Sequence, residues 1–546
     1  MEYLKYENII VAYFSAEIGI NKDMKTYAGG LGVLAGDILK AAVDLKYPMC
    51  GVTLLYKKGF FKQEINLHNE QVEIEDKWDY ESFLEDTKKE VKVNIDNRDV
   101  YIKIWCYWLK GLDFKIPIFF LDTDLEKNNE EDRNITKQLY LGDRLKQELV
   151  LGVGGARALD ELGIYPKKFH MNEGHSSFLT LRLYKKFGRI EGFNDEVVKK
   201  RCVFTTHTPI PAGHDKFSYK EFYKFLEGEE KDLIPWHLQK LAGEDMLNTT
   251  KLAMSFSNYI NAVSRKHQQV TKSMFPKFEN KIDYITNGVH LRTWTSESFS
   301  KVFDKLGNWN LNPEVLLNIN NIPKNELIDA KKKNKKNLVE FLNENNIVGT
   351  RFKEDILTVG FARRFISYKN AEMIFEDLER LKGIGKKVQI VFSGKSHMKD
   401  SSGKRIITRI LEYAEMLKDY ITIGFIENYN MEVAKLLVSG VDIWLNTPIP
   451  PNEASGTSGM KASVNGTINV STIDGWIIES FERGFGGFPI SKSDDFYNLI
   501  EYKLIPMYYF DYKNSWVNEM RLSIKNGSYF NTIRVLKEYI KKGYEK

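Results

Sequence analysis

The sequence is poor in cysteine, with three in 546 residues, at Cys50, Cys106 and Cys202. They are odd in number, far apart and outside any CxxC pattern. This spacing argues against a disulfide framework and offers no thiolate set for a structural zinc. It is typical of a reducing compartment, and we expect a cytoplasmic protein.

Long apolar runs are also missing. No stretch supplies the roughly 20 apolar residues that a membrane-spanning helix needs. The opening residues, MEYLKYENIIVAYFSAEIGI, place acidic side chains before the apolar run and show no small-residue cleavage pattern. We therefore expect neither secretion nor a membrane anchor.

A charge excess of one sign is absent as well. The 79 basic and 74 acidic residues leave a net charge of +5, which is too balanced to recruit nucleic acid or an acidic membrane. A lysine run from Lys331 to Lys336 lies in a helical segment with one apolar side. We interpret this run as a solvated helix face without a function.

The chain is longer than a single hydrophobic core usually supports, so two domains are expected. Its opening predicts a strand (NIIVAYFSAEI), a glycine-rich turn (YAGGLG) and a helix (VLAGDILKAAVDL). A second series of short strands and helices begins at ILTVGFARRF. The predicted fold class is α/β, with domains at 1–296 and 353–514, a linker with a charged helix at 297–352 and C-terminal helices at 515–546.

Two loops that follow predicted strands carry groups suited to anions. YAGGLG places backbone N–H groups at a helix start, which suits an anion and equally suits a structural turn. GFARRFISYK gathers Arg363, Arg364 and Lys369, which need solvent, carboxylates or phosphate to offset their repulsion. Ion pairs and phosphate binding both remain open for this cluster.

Three histidines, His170, His175 and His207, also follow predicted strands. No HExxH or similar pattern accompanies them, so we predict no metal site. For any one of them alone, a hydrogen-bonded structural role is the favoured interpretation.

Lys461 lies among small residues in EASGTSGMKASVNG. A buried amine must pair with an acid, lower its pKa or become covalently modified. The preceding SGTSG offers hydroxyl and N–H groups at a helix start, which suits the 5′-phosphate of pyridoxal phosphate. A lysine whose amine reaches solvent along an apolar stem is an equally good interpretation of this stretch alone.

The longer pattern NEASGTSGMKASVNG, followed by TIDGW, closely resembles the cofactor signature of the α-glucan phosphorylases, the family of glycogen, starch and maltodextrin phosphorylases. Other matching stretches occur in the same order along the chain: YAGGLGVLAGD, HMNEGHSSF, TTHTPIPAGHD, YITNGVHLRTW, FARRFISYK and ENYN. The resemblance implies two Rossmann-like domains that face a deep cleft, the GT-B arrangement of glycosyltransferases.

The resemblance also implies a cofactor site. Lys461 resembles the family's Schiff-base lysine to pyridoxal 5′-phosphate, with Thr457 and Ser458 near the cofactor phosphate. Arg363 resembles its cationic partner, and Tyr429 the residue beside the ring. The family has different residues where this chain has Ile366, Ser367, Ser458 and Gly459, which bears on its fine cofactor contacts and its regulation.

The implied substrate site has two parts. Arg364, Lys369 and the backbone of Gly30 resemble the clamp on substrate phosphate. The residues that resemble contacts to the glucosyl group, or that line the nearby cleft, are Gly29, Gly30, Leu31, Asn172, Glu173, His175, His207, Asn287, Glu453, Ala454, Ser455 and Gly456. The expected catalytic set is Lys461, Arg364, Lys369, His207 and Glu453.

The implied reaction is reversible phosphorolysis of the terminal glucose of an α-1,4-glucan to glucose 1-phosphate, with retention of configuration. The expected partners are the glucan and inorganic phosphate, with a homodimer as a family expectation. The alternatives are a glycogen or starch synthase that uses a nucleotide sugar, which Lys461 and GTSGMK argue against, and a catalytically silent glucan-binding protein. The early start of the first strand leads us to expect no AMP or phosphorylation control.

Overall fold

The protein is described by a computed structural model that covers residues 6, 8–188, 194–225 and 235–545. The chain forms two compact units. Unit 1 comprises Met1–Phe60, Glu75–Thr286 and Val535–Lys546. Unit 2 comprises Phe61–Ile74 and Asn287–Arg534. Each unit therefore includes a short segment from a distant part of the sequence.

The strands are numbered in chain order. They are β1 Val11–Ser15, β2 Met49–Leu54, β3 Lys62–Ile65, β4 Gln71–Ile74, β5 Glu85–Ile95, β6 Arg98–Lys110, β7 Lys115–Asp122, β8 Lys168–Asn172, β9 Cys202–Thr205, β10 Lys216–Phe217, β11 Leu247–Asn248, β12 Tyr259–Ala262, β13 Ile282–Tyr284, β14 Leu357–Ala362, β15 Val388–Ser393, β16 Thr422–Ile426, β17 Ile443–Asn446, β18 Ile468–Thr472 and β19 Phe488–Ile490.

The α-helices are numbered in the same way. They are α1 Gly30–Asp44, α2 Glu130–Arg133, α3 Arg144–Leu149, α4 Gly155–Glu161, α5 Leu179–Leu183, α6 Asp195–Lys199, α7 Tyr219–Phe225, α8 Pro235–Ala242, α9 Thr249–Ser255, α10 Arg265–Met274, α11 Leu291–Trp294, α12 Glu297–Phe303, α13 Lys324–Asn345, α14 Leu378–Ile384, α15 Ser401–Met416, α16 Met431–Gly440, α17 Ser458–Ser463, α18 Ile477–Glu482, α19 Ser493–Leu499, α20 Ile505–Phe510, α21 Val517–Tyr529 and α22 Thr532–Tyr539. None of the helices in these described parts is long and apolar enough to cross a membrane.

Unit 1 is built on a nine-stranded sheet in the order β13-β12-β9-β8-β1-β2-β7-β6-β5. Its strands are parallel except at one edge, where β6 runs antiparallel to both β7 and β5. The central strand β1 (VAYFS) is buried at every position, as expected for a parallel strand covered on both faces. The strand order changes direction between β1 and β8, so the loops after these two strands lie together at one edge.

Unit 2 contains a six-stranded parallel sheet in the order β16-β15-β14-β17-β18-β19. Here the order reverses between β14 and β17, and the loops that follow them lie at the carboxyl edge where open α/β sheets bind ligands. A hairpin of β3 and β4, from the first hundred residues, also belongs to this unit. The prediction of an α/β protein with parallel sheets is confirmed, while the predicted domain boundaries stay a prediction.

The interpretation of the lysine run as a solvated face is wrong for two of its members. Lys331 and Lys335 are only 1% and 4% exposed. The Lys331 ammonium donates hydrogen bonds to Val441 O and Thr467 Oγ1, each at 2.6 Å. Both lysines lie on the apolar stripe of α13, one and two turns after Leu327, and this spacing was a signal in the sequence.

Burial lowers the pKa of Lys331 to about 7. The unfolded chain holds this proton up to a higher pH, so the free energy of unfolding rises as the pH increases from 7. We therefore expect the melting temperature of the wild type, relative to Lys331→Met, to rise by about 4–8 °C between pH 7 and pH 9, because two pH units above a folded-state pKa of about 7 correspond to about 2 kcal/mol. The exposed Lys336→Met is the control in thermal unfolding, and a wild-type advantage independent of pH would contradict the assignment.

Candidate active site

A buried carboxylate joins two cationic side chains at the carboxyl edge of the unit 2 sheet. Arg363, directly after β14, and Lys369 both reach Glu453 Oε2, each at 2.5 Å. All three side chains are about one-tenth exposed. Burial by itself would raise the pKa of Glu453, but Arg363 and Lys369 hold that pKa at about 2. Glu453 is therefore ionised throughout the physiological pH range.

This cluster carries more positive than negative charge. Burial and the neighbouring Arg363 lower the pKa of Lys369. The Nε of Arg363 is buried without a hydrogen-bond partner among the described atoms, although its Nη1 donates to Asn446 Oδ1 at 3.3 Å. Arg364 is exposed beside it. Two nearly buried cations share one carboxylate oxygen, and Arg363 keeps a buried donor without a partner in the described structure, so this setting favours an anion.

Lys461 lies on the short helix α17, which follows the loop after β17. Its side chain is 7% exposed, and its Nζ lies 3.8 Å from the centre of the Trp294 ring. The indole face stabilises the ammonium while excluding water from one side of it. The structure thus favours a buried amine over one that reaches solvent.

The residues before Lys461 are closely packed. Trp444 Nε1 donates to Ser458 Oγ at 3.1 Å, which fixes the position of this hydroxyl. A Cβ added at Gly459 would lie 2.4 Å from Asn469 Oδ1, so a larger residue there would require the Asn469 side chain to move. Gly456 has φ +76°, a left-handed conformation that also favours glycine. Thr457 follows as the N-cap of α17.

The remaining predicted residues of unit 2 come from three parts of the chain: Ala454 and Ser455 precede α17, Asn287 follows β13 and Tyr429 follows β16. Ala454 and Ser455 are buried, and Ser455 O accepts a hydrogen bond from Trp476 N at 3.0 Å. Asn287 is 4% exposed and its Oδ1 is buried without a partner in the described structure. Tyr429 is half-buried, three residues after β16.

In unit 1, the glycine-rich loop is held by a residue that the sequence analysis did not single out. Glu17, two residues after β1, accepts hydrogen bonds from Ala28 N at 2.6 Å and Gly29 N at 3.1 Å. Tyr140 OH donates to the other oxygen of Glu17 at 2.6 Å. The loop is therefore shaped by an internal carboxylate, and the residues predicted to contact substrate are Gly29, Gly30 and Leu31, at and just after this anchor.

A second group in unit 1 joins the ends of β8 and β9. His207 Nε2 donates to Asn172 Oδ1 at 2.6 Å, and His207 N donates to Glu173 Oε2 at 2.7 Å. Burial lowers the pKa of His207 to about 3, so its imidazole is neutral. Glu173 has φ +73°, a strained conformation that clusters at functional sites. Three of the predicted residues thus lie together.

His175 belongs to a neighbouring charged group that the sequence analysis also missed. Its Nε2 lies 3.6 Å from Asp215 Oδ2, and Arg144 Nη2 pairs with the same oxygen at 2.9 Å. Burial and Arg144 lower the pKa of His175 to about 4. Burial and Asp215 raise the pKa of Glu148 well above its usual range. Arg144 and Glu148 lie four residues apart and pair at 3.4 Å, but His175 and Asp215 are distant from them in the sequence, so no local pattern links the whole group.

Comparison with known proteins agrees with these observations. The family model described as carbohydrate phosphorylase matches residues 15–103 and 215–484, which include the glycine-rich loop, Arg363 and Lys461. This match covers more than half of the chain, which therefore belongs to the carbohydrate phosphorylase family. Asn172, Glu173, His175 and His207 lie outside the matched stretches.

Individual relatives extend the similarity to the whole chain. The maltodextrin phosphorylase of Thermococcus litoralis is 38% identical over 100% of this chain and 71% of its own length. The glycogen phosphorylase of Aquifex aeolicus is 35% identical over 99% of this chain and 87% of its own length. An uncharacterized protein of Methanocaldococcus jannaschii is 33% identical, with 98% of this chain and 99% of its own length aligned. The predicted family and the predicted glycosyltransferase class are confirmed, while the roles of single residues remain predictions.

The charge excess around Glu453 predicts a measurable response to phosphate. Glu453→Gln removes the counter-charge of Arg363 and Lys369, so we expect a lower melting temperature without added anion. Inorganic phosphate should then bind the variant about tenfold more tightly than the wild type and stabilise it by about 1.4 kcal/mol more.

The control is Glu379→Gln, because the Glu379 side chain is 84% exposed and pairs only with Lys382 among the described residues. Melting temperature is recorded against phosphate concentration for all three proteins. An equal phosphate response in Glu453→Gln and the wild type would contradict an anion site at this cluster.

Proposed function

We propose that the protein is an α-1,4-glucan phosphorylase that transfers the non-reducing terminal glucose to inorganic phosphate, reversibly and with retention of configuration. The observation that carries this proposal is the excess of cationic side chains around Glu453, on loops at the same edge of the sheet as the buried Lys461. Membership of the carbohydrate phosphorylase family supports it. So do relatives named maltodextrin phosphorylase and glycogen phosphorylase.

The proposed architecture is the GT-B arrangement, with two Rossmann-like domains facing a cleft. In support, each unit has its candidate residues where the strand order of its sheet reverses. In this proposal, unit 1 contributes sugar contacts and unit 2 contributes the phosphate and cofactor contacts. The domain limits remain those proposed from the sequence, at 1–296, 297–352, 353–514 and 515–546.

The proposed cofactor is pyridoxal 5′-phosphate, and the residues fit it. Lys461 supplies a buried amine for covalent attachment, beside an indole face that limits access of water. Arg363 supplies a buried donor without a partner for a phosphate oxygen, and Ser458 and Thr457 supply hydroxyl groups. When bound, this cofactor supplies a phosphate group that exchanges a proton with substrate phosphate. Tyr429 is the proposed neighbour of the cofactor ring.

Arg364 and Lys369 hold the substrate phosphate in this proposal, with the backbone N–H of Gly30. Exposed Arg364 is free to meet an incoming anion, and the Lys369 amine is already oriented by Glu453. Cations around two close phosphates offset their mutual repulsion, and they stabilise negative charge as the glycosidic bond breaks. This arrangement replaces the pair of carboxylates that a glycoside hydrolase requires.

The sugar contacts follow from groups of fixed protonation. We propose that Glu453 accepts hydrogen bonds from glucose hydroxyls, since its low pKa keeps it an acceptor. Ala454, Ser455, Gly456 and Asn287 complete this side. Neutral His207, held by Asn172 and Glu173, presents its backbone carbonyl to the anomeric side, and His175, Gly29 and Leu31 line the same region. A cytoplasmic location and a homodimer are further family-based proposals.

The proposed covalent anchor of the cofactor is Lys461. Purified wild-type protein, expressed with pyridoxal supplied, should show the absorbance band of lysine-bound pyridoxal phosphate and release glucose 1-phosphate from maltodextrin. Lys461→Ala should lose both, because it removes the only proposed attachment point. Lys435→Ala, on the nearby helix α16, is the control and should keep both. A colourless and inactive wild type would contradict the proposed function, including its distinction from a synthase or a silent glucan-binding protein.

Variants of Arg364 and Arg363 distinguish the proposed site for substrate phosphate from the proposed site for cofactor phosphate. Arg364→Ala should raise the KM for inorganic phosphate by at least about tenfold with little change in cofactor content, since its proposed partner is the substrate anion. Arg363→Ala should show the opposite pattern, with a large loss of cofactor content and a smaller rise in the KM for inorganic phosphate. Initial rates against phosphate concentration and cofactor absorbance per mole of protein make the comparison. Equal losses of both properties in Arg364→Ala would mean that the clamp is assigned wrongly.

A further inference from the structure

The hairpin of β3 and β4 packs against the carboxyl edge of the unit 2 sheet with its polar face. Gln63 is 0% exposed and Gln71 is 5% exposed, whereas Val72 and Ile74 are about 40% exposed. Leu67 at the turn is 101% exposed. A hairpin that served stability alone would bury its apolar side chains and leave its amides in water. Here the glutamine side chains are buried and the apolar side chains are exposed, so the burial of the glutamines is explained by the groups that they bind.

Gln63 connects two loops at the edge of the sheet. Its Oε1 accepts a hydrogen bond from Asn428 N at 2.9 Å, in the loop after β16. Its Nε2 donates to Gly394 O at 2.8 Å, in the loop after β15, and to Gln71 Oε1 at 3.0 Å. The side-chain amide of Gln63 thus accepts a hydrogen bond from the loop after β16 and donates hydrogen bonds to the loop after β15 and to Gln71.

Gln71 strengthens the contact with the loop after β15. Its Oε1 accepts from Ser396 N at 2.9 Å, and its Nε2 donates to Ser396 O at 3.0 Å. The turn of the hairpin is fixed separately, because Thr408 Oγ1 donates to Asn69 O at 2.9 Å. Side-chain hydrogen bonds from Gln63 and Gln71 therefore attach the hairpin to the backbone of the loops at this edge of the sheet.

Both loops lead to proposed ligand contacts. Arg363 N donates to Ser393 O at 3.2 Å and Phe365 N donates to Lys395 O at 3.0 Å, so the segment that carries Arg364 is fastened to the loop after β15. A Cβ at Gly394 would lie 2.0 Å from Arg363 O, which shows how closely these two loops approach. On the other side, Asn428 directly precedes Tyr429 in the sequence.

We infer that Gln63, supported by Gln71, is a positioning residue of the active site, which holds the Arg364 segment for substrate phosphate and the Tyr429 segment for the cofactor. This inference rests on the proposed function. Gln63 and Gln71 act through the backbone of the two loops and touch neither substrate nor cofactor in this assignment. A segment early in the sequence thereby sets the geometry of a site built from residues about 300 positions later.

The test compares Gln63→Ala with Gln389→Ala in the full-length holoenzyme. Gln389 is equally buried, and its Nε2 donates to Lys353 O at 2.7 Å and Thr358 Oγ1 at 2.8 Å, at the amino end of the same sheet. Both variants should lose thermal stability, because each leaves buried backbone groups without partners. Only Gln63→Ala should raise the KM for phosphate by about tenfold and alter the cofactor absorbance band.

Amide hydrogen exchange gives a readout that needs no turnover. The amide of Asn428, which donates to Gln63 Oε1, should exchange about tenfold faster in Gln63→Ala and at the wild-type rate in Gln389→Ala. Gln71→Ala should raise the phosphate KM with the cofactor band unchanged, and it serves as the test if Gln63→Ala does not fold. An active, coloured wild type whose Gln63 and Gln389 variants behave alike would overturn this inference and leave the proposed function standing. A colourless, inactive wild type would overturn both.

Discussion

The buried carboxylate of Glu453 is the constraint on which the unit 2 site depends. It meets Arg363 and Lys369 at one oxygen, and these groups come from loops that follow two different strands. Without that negative charge, two nearly buried cations would repel each other and draw the loops apart. With it, the cluster is held closed and still carries a surplus of positive charge that suits phosphate.

The same device recurs in unit 1 with other groups. Glu17 after β1 takes the N–H groups of Ala28 and Gly29, and Glu173 after β8 takes that of His207. In each case an internal carboxylate occupies backbone donors and holds a loop in a shape that short, glycine-rich sequences do not keep alone. In both places, hydrogen bonds to an internal carboxyl group hold a loop that has no regular secondary structure.

Much of the fold and of the unit 2 site followed from local patterns. The apolar spacing of VAYFS and of LTVGFA predicted buried strands, and the loops after them carried the glycine-rich turn and the arginine cluster. Other features could not be predicted from local sequence patterns. Nothing local marks Gln63 or Asp215, because most of their partners are distant in the sequence. The burial of Lys331 and Lys335 was missed although their spacing matched the apolar stripe of α13, since charge was weighed above position.

The sequence by itself determined the α/β class, the phosphorylase family and the presence of Lys461 in its glycine-cushioned segment, because short-range periodicity and contiguous motifs encode these properties. Tertiary structure alone decided which charges meet. In the folded protein Glu453 lies beside Arg363 and Lys369. The hairpin of residues 61–74 lies at the edge of a sheet whose first strand begins at Leu357. The physical reason is that ion pairs and buried amides act over a few ångströms in space, whatever the separation of the residues along the chain.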